Sequence, residues 1–256
     1  MSRKQLLSRA STSALYDVLY FVLMPISRDE AYPSHVVSFF ANTDQALALV
    51  AAYDLLCKHY PRSRRKLEVT KKSAIVLLVA SWEAYIEDLA VAAFDALLAA
   101  AKTPEIIPAK VLAVAARGLR DSQDERSLWA LAGNGWRTVL EQHRDTVLDR
   151  FIGKLNTPKP EQVNALFDSL IGLPDLSSRW VWPGTSATMA RERVLRLVEL
   201  RGSIAHRVQT SAPVHRSLVV QSCDLLTRLA ARSSEHVRGF IQRRTGSYPW
   251  NHVKLL

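Results

Sequence analysis

Arg201 and His206 are the two side chains whose types and spacing best suit chemistry on a phosphate ester. An arginine can stabilise extra negative charge on a phosphate through paired hydrogen bonds. A histidine with an ordinary pKa of about 6.5 can take or give a proton near neutral pH. Acting on RNA without a metal, such a histidine would deprotonate the ribose 2′-hydroxyl or protonate the leaving oxygen. The expected products are a 2′,3′-cyclic phosphate and a 5′-hydroxyl, and DNA, which lacks the 2′-hydroxyl, should not be cut.

A helix is predicted to carry both residues, because aliphatic side chains around them recur at helical spacing. On a helix these side chains fall within an arc of roughly 120°, and Arg201 lies near the middle of that arc. A guanidinium stays charged at ordinary pH and is rarely buried without a partner. Arg201 therefore requires a carboxylate, a bound phosphate or a subunit interface. The aliphatic residues of the arc are Val194, Leu197, Val198, Ile204, Ala205 and Val208.

Helix geometry limits how Arg201 and His206 can meet. Residues five apart on a straight helix differ by ~140° in direction, so the two side chains do not share a face. They reach one phosphate if the helix is irregular at Gly202, if the arginine folds across, or if two protomers share a cleft at a two-fold axis. The alternative, in which Arg201 is a buried structural cation and His206 a surface or helix-end residue, stays open.

Two segments resemble the HEPN superfamily (higher eukaryotes and prokaryotes nucleotide-binding domain). In its motif an arginine is followed, after four to six residues, by a histidine, and Arg201 and His206 match with four residues between them. Residues 80–89 read ASWEAYIEDL and look like the WEAY helix of the RiboL-PSP-type HEPN branch. Gly202 stands where many members carry Asn, Asp or His, so Ser203 is the residue that could supply a polar group instead. The resemblance covers about residues 40–100 and 187–243.

The resemblance implies an all-α antiparallel bundle and a homodimeric, metal-independent endoribonuclease that needs no cofactor. Arg201 would stabilise the transition state and His206 would be the general base or acid, with Ser203 and Glu83 in supporting roles. It also implies a toxin or an effector of antiviral defence. The expected partners are RNA, a second copy of the chain and a neutralising or regulatory protein. The alternative function is a non-catalytic helical module that binds RNA, a nucleotide or a partner protein.

Glu83 lies at the edge of a second apolar arc, on the helix that carries the WEAY-like segment. Its carboxylate could pair with Arg201 and hold it for a phosphate, or could face solvent on the flank of the helix. Trp82 and Tyr85 are predicted to be core residues, whereas Glu87 and Asp88 are predicted to lie on the solvated face. The apolar arc consists of Ile75, Leu78, Val79, Trp82, Tyr85, Ile86 and Leu89.

Positive charge is concentrated before and within this helix. With 34 basic and 24 acidic residues the chain carries a net charge of +10, which favours polyanionic partners. The densest cluster is a candidate phosphate track, with an exposed loop and helix start as the alternative. Near the end of the last helix, Arg238, Arg243 and Arg244 could extend such a track or favour the negative end of the helix dipole. The cluster consists of Arg62, Arg64, Arg65, Lys66, Lys71 and Lys72.

Two further arginine–histidine pairs have a similar spacing. Arg28 and His35 span Pro33 in a connector, which makes their spacing accidental. Arg137 and His143 lie in a helical segment and form a minor rival to the pair at 201 and 206.

Helical periodicity dominates the chain, and no alternating strand pattern is found. A helical extension is predicted over residues 1–38, with one helix over 8–24 that Pro25 ends. The HEPN-like core is predicted at 39–101 and 187–245, with helices over about 44–59, 67–101, 187–212 and 214–244. Between the two parts of the core, residues 102–186 are predicted to be an inserted helical lobe packed on the core. Its tryptophans, at positions 129, 136, 180 and 182, are interpreted as packing residues.

Composition excludes several other classes of protein. Cys57 and Cys223 lie far apart, so they are predicted to be buried thiols rather than a disulfide framework or a metal site. No uncharged apolar stretch is long enough to cross a membrane, and no cleavage site follows the apolar run near the N-terminus. We therefore expect a cytoplasmic protein that does not associate with membranes.

Overall fold

The computed structural model describes residues 32–152, 158–207 and 213–253. These residues form α-helices joined by short turns, and within them the sole strand-like pairing is an isolated bridge between Trp182 and Thr185. The all-α fold class predicted from the sequence is therefore confirmed. The helices are α1 (Ser34–His59), α2 (Arg64–Ala100), α3 (Ala109–Ala115), α4 (Arg117–Arg120), α5 (Gly135–Ile152), α6 (Pro160–Ile171), α7 (Ala187–Arg207) and α8 (Arg216–Thr245).

Contacts divide the chain into two compact units, and the first comprises residues 1–82 and 196–227. Its described part contains α1, the first half of α2, the end of α7 and the start of α8. Two polar contacts join these helices: the Glu68 carboxylate accepts the backbone N–H of Val214 at 3.0 Å, and Arg216 pairs with Asp54 at 3.0 Å. Burial of aliphatic and aromatic side chains supplies the main stabilisation. The core of this unit includes Val36, Phe39, Val50, Ile75, Leu78, Val79, Trp82, Leu197, Val198, Ile204, Val219 and Leu226.

The second unit comprises residues 83–195 and 228–256. The Tyr85 hydroxyl donates to the carbonyl of Ala230 at 2.6 Å, and the Trp180 indole N–H donates to Ser233 Oγ at 2.9 Å. These bonds satisfy polar atoms that the core covers, as buried polar groups require. The core of this unit includes Tyr85, Ile86, Leu89, Phe94, Leu97, Leu140, Val163, Phe167, Leu170, Trp180, Leu229, Val237 and Ile241.

The helix boundaries correct two sequence predictions. The sequence predicted a helix from about residue 44, because Asn42-Thr43-Asp44 are residue types that cap helix starts, but α1 begins at Ser34, directly after Pro33. The apolar face of Val36, Phe39 and Phe40 continues the helical spacing backwards, and the Thr43 hydroxyl donates to the carbonyl of Phe40 instead of capping a helix start. The predicted basic loop is a 3₁₀ turn over Pro61–Ser63, after which α2 begins at Arg64.

Other predicted elements agree with the structure or lie outside its described part. The long helix expected at 67–101 is α2, and the helices expected from 187 and over 214–244 are α7 and α8. The helix predicted over 8–24 falls outside the described residues. The boundaries of the predicted extension, core and inserted lobe stay a prediction.

The tryptophans and cysteines differ in their surroundings. Trp136 and Trp180 are buried, as packing residues should be, whereas Trp129 is 75% exposed and the prediction of a packing role is wrong for it. It stands on a short 3₁₀ turn, Ser127–Leu131. Cys223 is buried but Cys57 is only half-buried, and neither forms a disulfide.

Candidate functional site

Arg201 occupies an apolar stretch of α7, as its spacing predicts. The nearby residues Leu197, Val198 and Ile204 are buried, and Arg201 itself is half-buried. Its Nε atom is covered and has no hydrogen-bond partner among the described residues. A covered guanidinium nitrogen without an acceptor is costly, because it has lost water and gained nothing in return. This side chain is thus suited to bind an acceptor that comes from a ligand or from a second copy of the chain.

His206 and Ser203 are both exposed on α7. An exposed imidazole can reach a ligand without rearrangement of the core. Ala205, assigned to the apolar arc, is also exposed, so the arc is not covered along its whole length. Val208, the last member of that arc, lies outside the described residues.

The helix is regular where the motif lies, and this narrows the ways in which Arg201 and His206 can meet. Residues 201–207 are continuously α-helical, including Gly202, so no kink turns the two side chains onto one face. The remaining solutions are an arginine that folds across the helix and a cleft shared by two copies. A Cβ atom at Gly202 would meet nothing within 4 Å, so packing does not require glycine there.

The WEAY-like segment lies in the middle of α2. Trp82 and Tyr85 are 1% exposed, which confirms their assignment to the core, and Glu83 is half-buried. Glu87 is half-buried as well, so its assignment to the solvated face is wrong. Burial, together with the charges of Glu83 and Asp88, raises the pKa of Glu87, and burial also raises the pKa of Asp88. The pairing of Glu83 with Arg201 stays a prediction.

The basic cluster divides into exposed and engaged side chains. Lys71 is buried with its ammonium 4.1 Å from the centroid of the Tyr53 ring, and Lys72 pairs with Glu68 at 3.7 Å. Four other side chains of the cluster are exposed and form neither a hydrogen bond nor an ion pair with the described part of the chain. These four, which we call the basic turn, are Arg62, Arg64, Arg65 and Lys66.

Glu68 is a residue of this region to which the sequence analysis assigned no role. Its carboxylate fixes Val214, which follows the motif helix in the chain, to the start of α2. In the sequence, a carboxylate four residues before Lys72 predicts an ion pair between the two side chains. It gives no indication of the long-range contact with Val214.

The arginines near the end of α8 differ in their engagement. Arg238 donates to the carbonyl of Trp250 and pairs with Glu235, and Arg244 donates to the carbonyl of Ile106. Arg243 is exposed and forms no such bond with the residues described. Two of the three arginines, Arg238 and Arg244, therefore bind backbone carbonyls of other segments.

The rival pair of Arg137 and His143 is occupied by backbone contacts. The Arg137 guanidinium binds the carbonyls of Leu98 and Ala101 at the end of α2, and His143 lies 3.0 Å from the carbonyl of Ser169. Arg137 thus donates hydrogen bonds to carbonyls at a helix end, where a basic side chain is favourable. In the other pair, Arg28 lies outside the described residues, and burial lowers the pKa of His35 to about 4.

Helices alone, with an arginine–histidine motif on α7 and a WEAY-like segment on α2, define a HEPN-type domain. Comparison with protein families agrees, since the model of the RiboL-PSP-HEPN family matches residues 44–237. The chain belongs to this family. The match runs continuously through residues 102–186, beyond the two segments in which the resemblance was recognised.

Two other comparisons gave no match, one with curated proteins and one with solved structures. Among the helices of the described residues, none has the length and apolar character that crossing a membrane requires.

Proposed function

We propose that this chain is a metal-independent endoribonuclease that cleaves RNA to 2′,3′-cyclic phosphate and 5′-hydroxyl ends. The observation that carries the proposal is the half-buried guanidinium of Arg201, whose covered Nε has no hydrogen-bond acceptor among the described residues. It lies on the helix that also presents His206. A phosphate oxygen is a good acceptor for this group, because a guanidinium binds phosphate through paired, charge-assisted hydrogen bonds.

His206 performs the proton transfer in this proposal. As base it removes the proton from the 2′-hydroxyl, whose oxygen then attacks the adjacent phosphorus. As acid it protonates the 5′-oxygen that leaves. Arg201 stabilises the charge that builds up on the phosphate oxygens in between. Ser203, exposed one helical position after Gly202, supplies a hydroxyl for a further hydrogen bond, and Glu83 is the candidate to orient Arg201.

A homodimer solves the geometric problem of the motif. Because α7 is regular across Gly202, Arg201 and His206 point in directions that differ by ~140° on one helix. A two-fold axis beside α7 lets Arg201 of one protomer and His206 of the other act on the same phosphate. The uncovered part of the apolar arc, including Ala205, would then lie at the interface.

RNA would reach this cleft over the basic turn, which belongs to the same structural unit as the motif. Exposed arginines and lysines without carboxylate partners attract the phosphate backbone irrespective of sequence. Lys71 and Lys72, which were predicted to belong to the track, would contribute less because Tyr53 and Glu68 already engage them.

The decisive experiment incubates the purified protein with single-stranded RNA in EDTA and analyses the ends of the products. Cleavage should leave cyclic phosphates, and a matched substrate with a 2′-deoxyribose at the cleaved position should stay intact. His206→Ala should reduce the rate by about 10²–10⁴-fold and Arg201→Ala by about 10²–10³-fold. His59→Ala and Arg232→Ala, both at exposed positions, serve as controls and should retain activity. Cleavage that persists in both motif variants would overturn the site.

The second candidate is a non-catalytic module that binds RNA, a nucleotide or a partner protein. Gly202 favours it, since many members of the family carry a polar residue directly after the arginine. RNA that binds but is never cleaved, with cyclic-phosphate ends absent under all conditions, would support this module. In the enzymatic case we propose a toxin or effector of antiviral defence, which a neutralising or regulatory protein would hold in check.

A further inference from the structure

A pocket of about 520 Å³ lies in the second unit, between the end of α8 and the 3₁₀ turn over Pro104–Ile106. The residues that line it are Glu105, Ile106, Phe240, Arg243 and Arg244. All belong to residues 83–195 or 228–256, whereas Arg201 and His206 belong to the other unit. The volume is within the range of small-molecule sites, roughly 300–1,000 Å³.

The two arginines of this pocket are held differently. The Arg244 guanidinium donates to the carbonyl of Ile106 at 3.1 Å and lies 5.3 Å from the centroid of the Phe240 ring. Arg243 has no hydrogen bond or ion pair within the described residues, so its five N–H donors remain available. One arginine thus shapes the pocket together with Phe240, and the other can bind a ligand.

A second arginine, Arg179, adds to the positive charge near Arg243. His236 lies two helical turns earlier on α8, and both Arg243 and Arg179 act on it electrostatically. Burial, with the repulsion of these two arginines added, lowers the pKa of His236 to about 4. Arg179 likewise has no ion pair with the residues described. Arg243 and Arg244, set against the single carboxylate of Glu105, leave the pocket lining with a net positive charge, which favours an anionic ligand.

The remaining lining residues define the other end of such a ligand. Phe240 offers an aromatic face, and bases stack on aromatic rings and on guanidinium planes. Hydrogen bonding with Thr103 lowers the pKa of Glu105, which keeps this exposed carboxylate ionised. An ionised carboxylate accepts hydrogen bonds, and the two hydroxyls of a ribose can donate them.

We propose that this pocket binds a mononucleotide, with its phosphate on Arg243, its sugar hydroxyls toward Glu105 and its base against Phe240 and Arg244. The site goes beyond the proposed RNA cleavage and does not depend on it. A free nucleotide and the terminal nucleotide of an RNA share this chemistry, and the experiment separates them.

Calorimetric titration with AMP tests the proposal, because a compact ligand of low charge binds weakly to a generally basic surface. AMP should bind to the full chain, whereas adenosine and inorganic phosphate, which each lack one half of the ligand, should bind at least about tenfold more weakly. Arg243→Gln should weaken AMP binding by about ten- to a hundredfold through loss of charge-assisted hydrogen bonds. The matched control is Arg232→Gln, at an exposed position of the same helix outside the pocket, and it should leave the dissociation constant unchanged.

Two results would overturn the proposal: no heat of binding at millimolar AMP, or equal weakening in Arg243→Gln and Arg232→Gln. Because Arg243 bonds to no described residue, its variant should fold, and Phe240→Leu gives a second test through loss of the stacking face.

A short RNA with a 3′-terminal AMP unit distinguishes the two sources of the ligand: competition with AMP at equal strength indicates an RNA end, and failure to compete indicates a free nucleotide. RNA cleavage by Phe240→Leu should match the wild type, so failure of this site and failure of the nuclease proposal are separate outcomes.

Discussion

The carboxylate of Glu68 accepts the backbone N–H of Val214 at 3.0 Å, across 146 residues of chain. Val214 is 1% exposed, so its N–H has no access to water that could replace this bond. The contact ties the start of α2 to the chain that follows the motif helix, and it lies beside the basic turn.

Removal of this acceptor should destabilise the first unit. Glu68→Ala leaves the N–H of Val214 without a partner, and we expect a loss of about 1–3 kcal/mol in the free energy of unfolding. Glu68→Gln keeps an oxygen in place and should recover most of that loss. Chemical denaturation measures both variants, with Glu125→Ala at an exposed position as control. Equal stability of Glu68→Ala and the wild type would show that the contact contributes nothing.

Arg201 should be dispensable for folding and required for cleavage. Arg201→Met keeps the length and apolar stem of the side chain and removes a covered N–H that has no acceptor among the described residues. We expect the free energy of unfolding to stay unchanged or to rise by roughly 1 kcal/mol, while RNA cleavage is lost. Denaturant unfolding and the RNA assay are run on the same preparation. A large loss of stability would instead indicate that Arg201 is a structural cation.

The basic turn should control how strongly salt weakens RNA binding. Each phosphate contact with single-stranded RNA contributes about 0.7 to the slope of log affinity against log salt. A variant with Arg62, Arg64 and Arg65 changed to Gln should therefore lose up to about 2 from this slope. Fluorescence anisotropy over a salt series measures it. A control with Arg117→Gln and Arg126→Gln, exposed elsewhere, should keep the slope, and an equal reduction there would contradict a localised track.

Acid should destabilise the fold through His35. Burial lowers the pKa of this residue to about 4, so below about pH 6.5 the unfolded chain binds a proton that the folded chain refuses. Stability is complete above pH 6.5 and falls as the pH drops to about 4, by at most about 3 kcal/mol. His35→Gln should remove this part of the pH dependence, measured as unfolding free energy at pH 7 and pH 4.5. His59→Gln, at an exposed histidine, should leave it intact; no difference between the two variants would refute the assignment.

Arg137 should matter for stability and not for chemistry. Its guanidinium binds the carbonyls of Leu98 and Ala101, where α2 ends. Arg137→Gln should lower the free energy of unfolding by about 1–3 kcal/mol. Below its melting temperature the variant should cleave RNA at the wild-type rate. Arg150→Gln, exposed on α5, is the control for stability. Loss of cleavage in a folded Arg137→Gln would revive the rival motif.

Helical periodicity determined most of what could be predicted about the fold. The arc of Ile75, Leu78, Trp82 and Tyr85 is buried as its spacing required, because apolar side chains three and four positions apart share one face of a helix. Local signals were weaker guides. Asn42-Thr43-Asp44 has the composition of a helix start, yet the apolar residues before it extend α1 back to Ser34. Burial of Phe39 and Phe40 therefore outweighed the local capping preference.

By itself the sequence determined the helical class, the motif of Arg201 and His206 and the family, because these depend on residue identity and spacing along single helices. Only the tertiary structure decided which cations have partners. Arg137 binds the carbonyls of Leu98 and Ala101, and Lys71 lies against the Tyr53 ring, whereas Arg243 forms no hydrogen bond or ion pair with a described residue. Partners of charged side chains come from segments distant in the chain, and spacing within a helix carries no information about them. The same physics explains why Glu68, an ordinary carboxylate in the sequence, holds the chain at Val214.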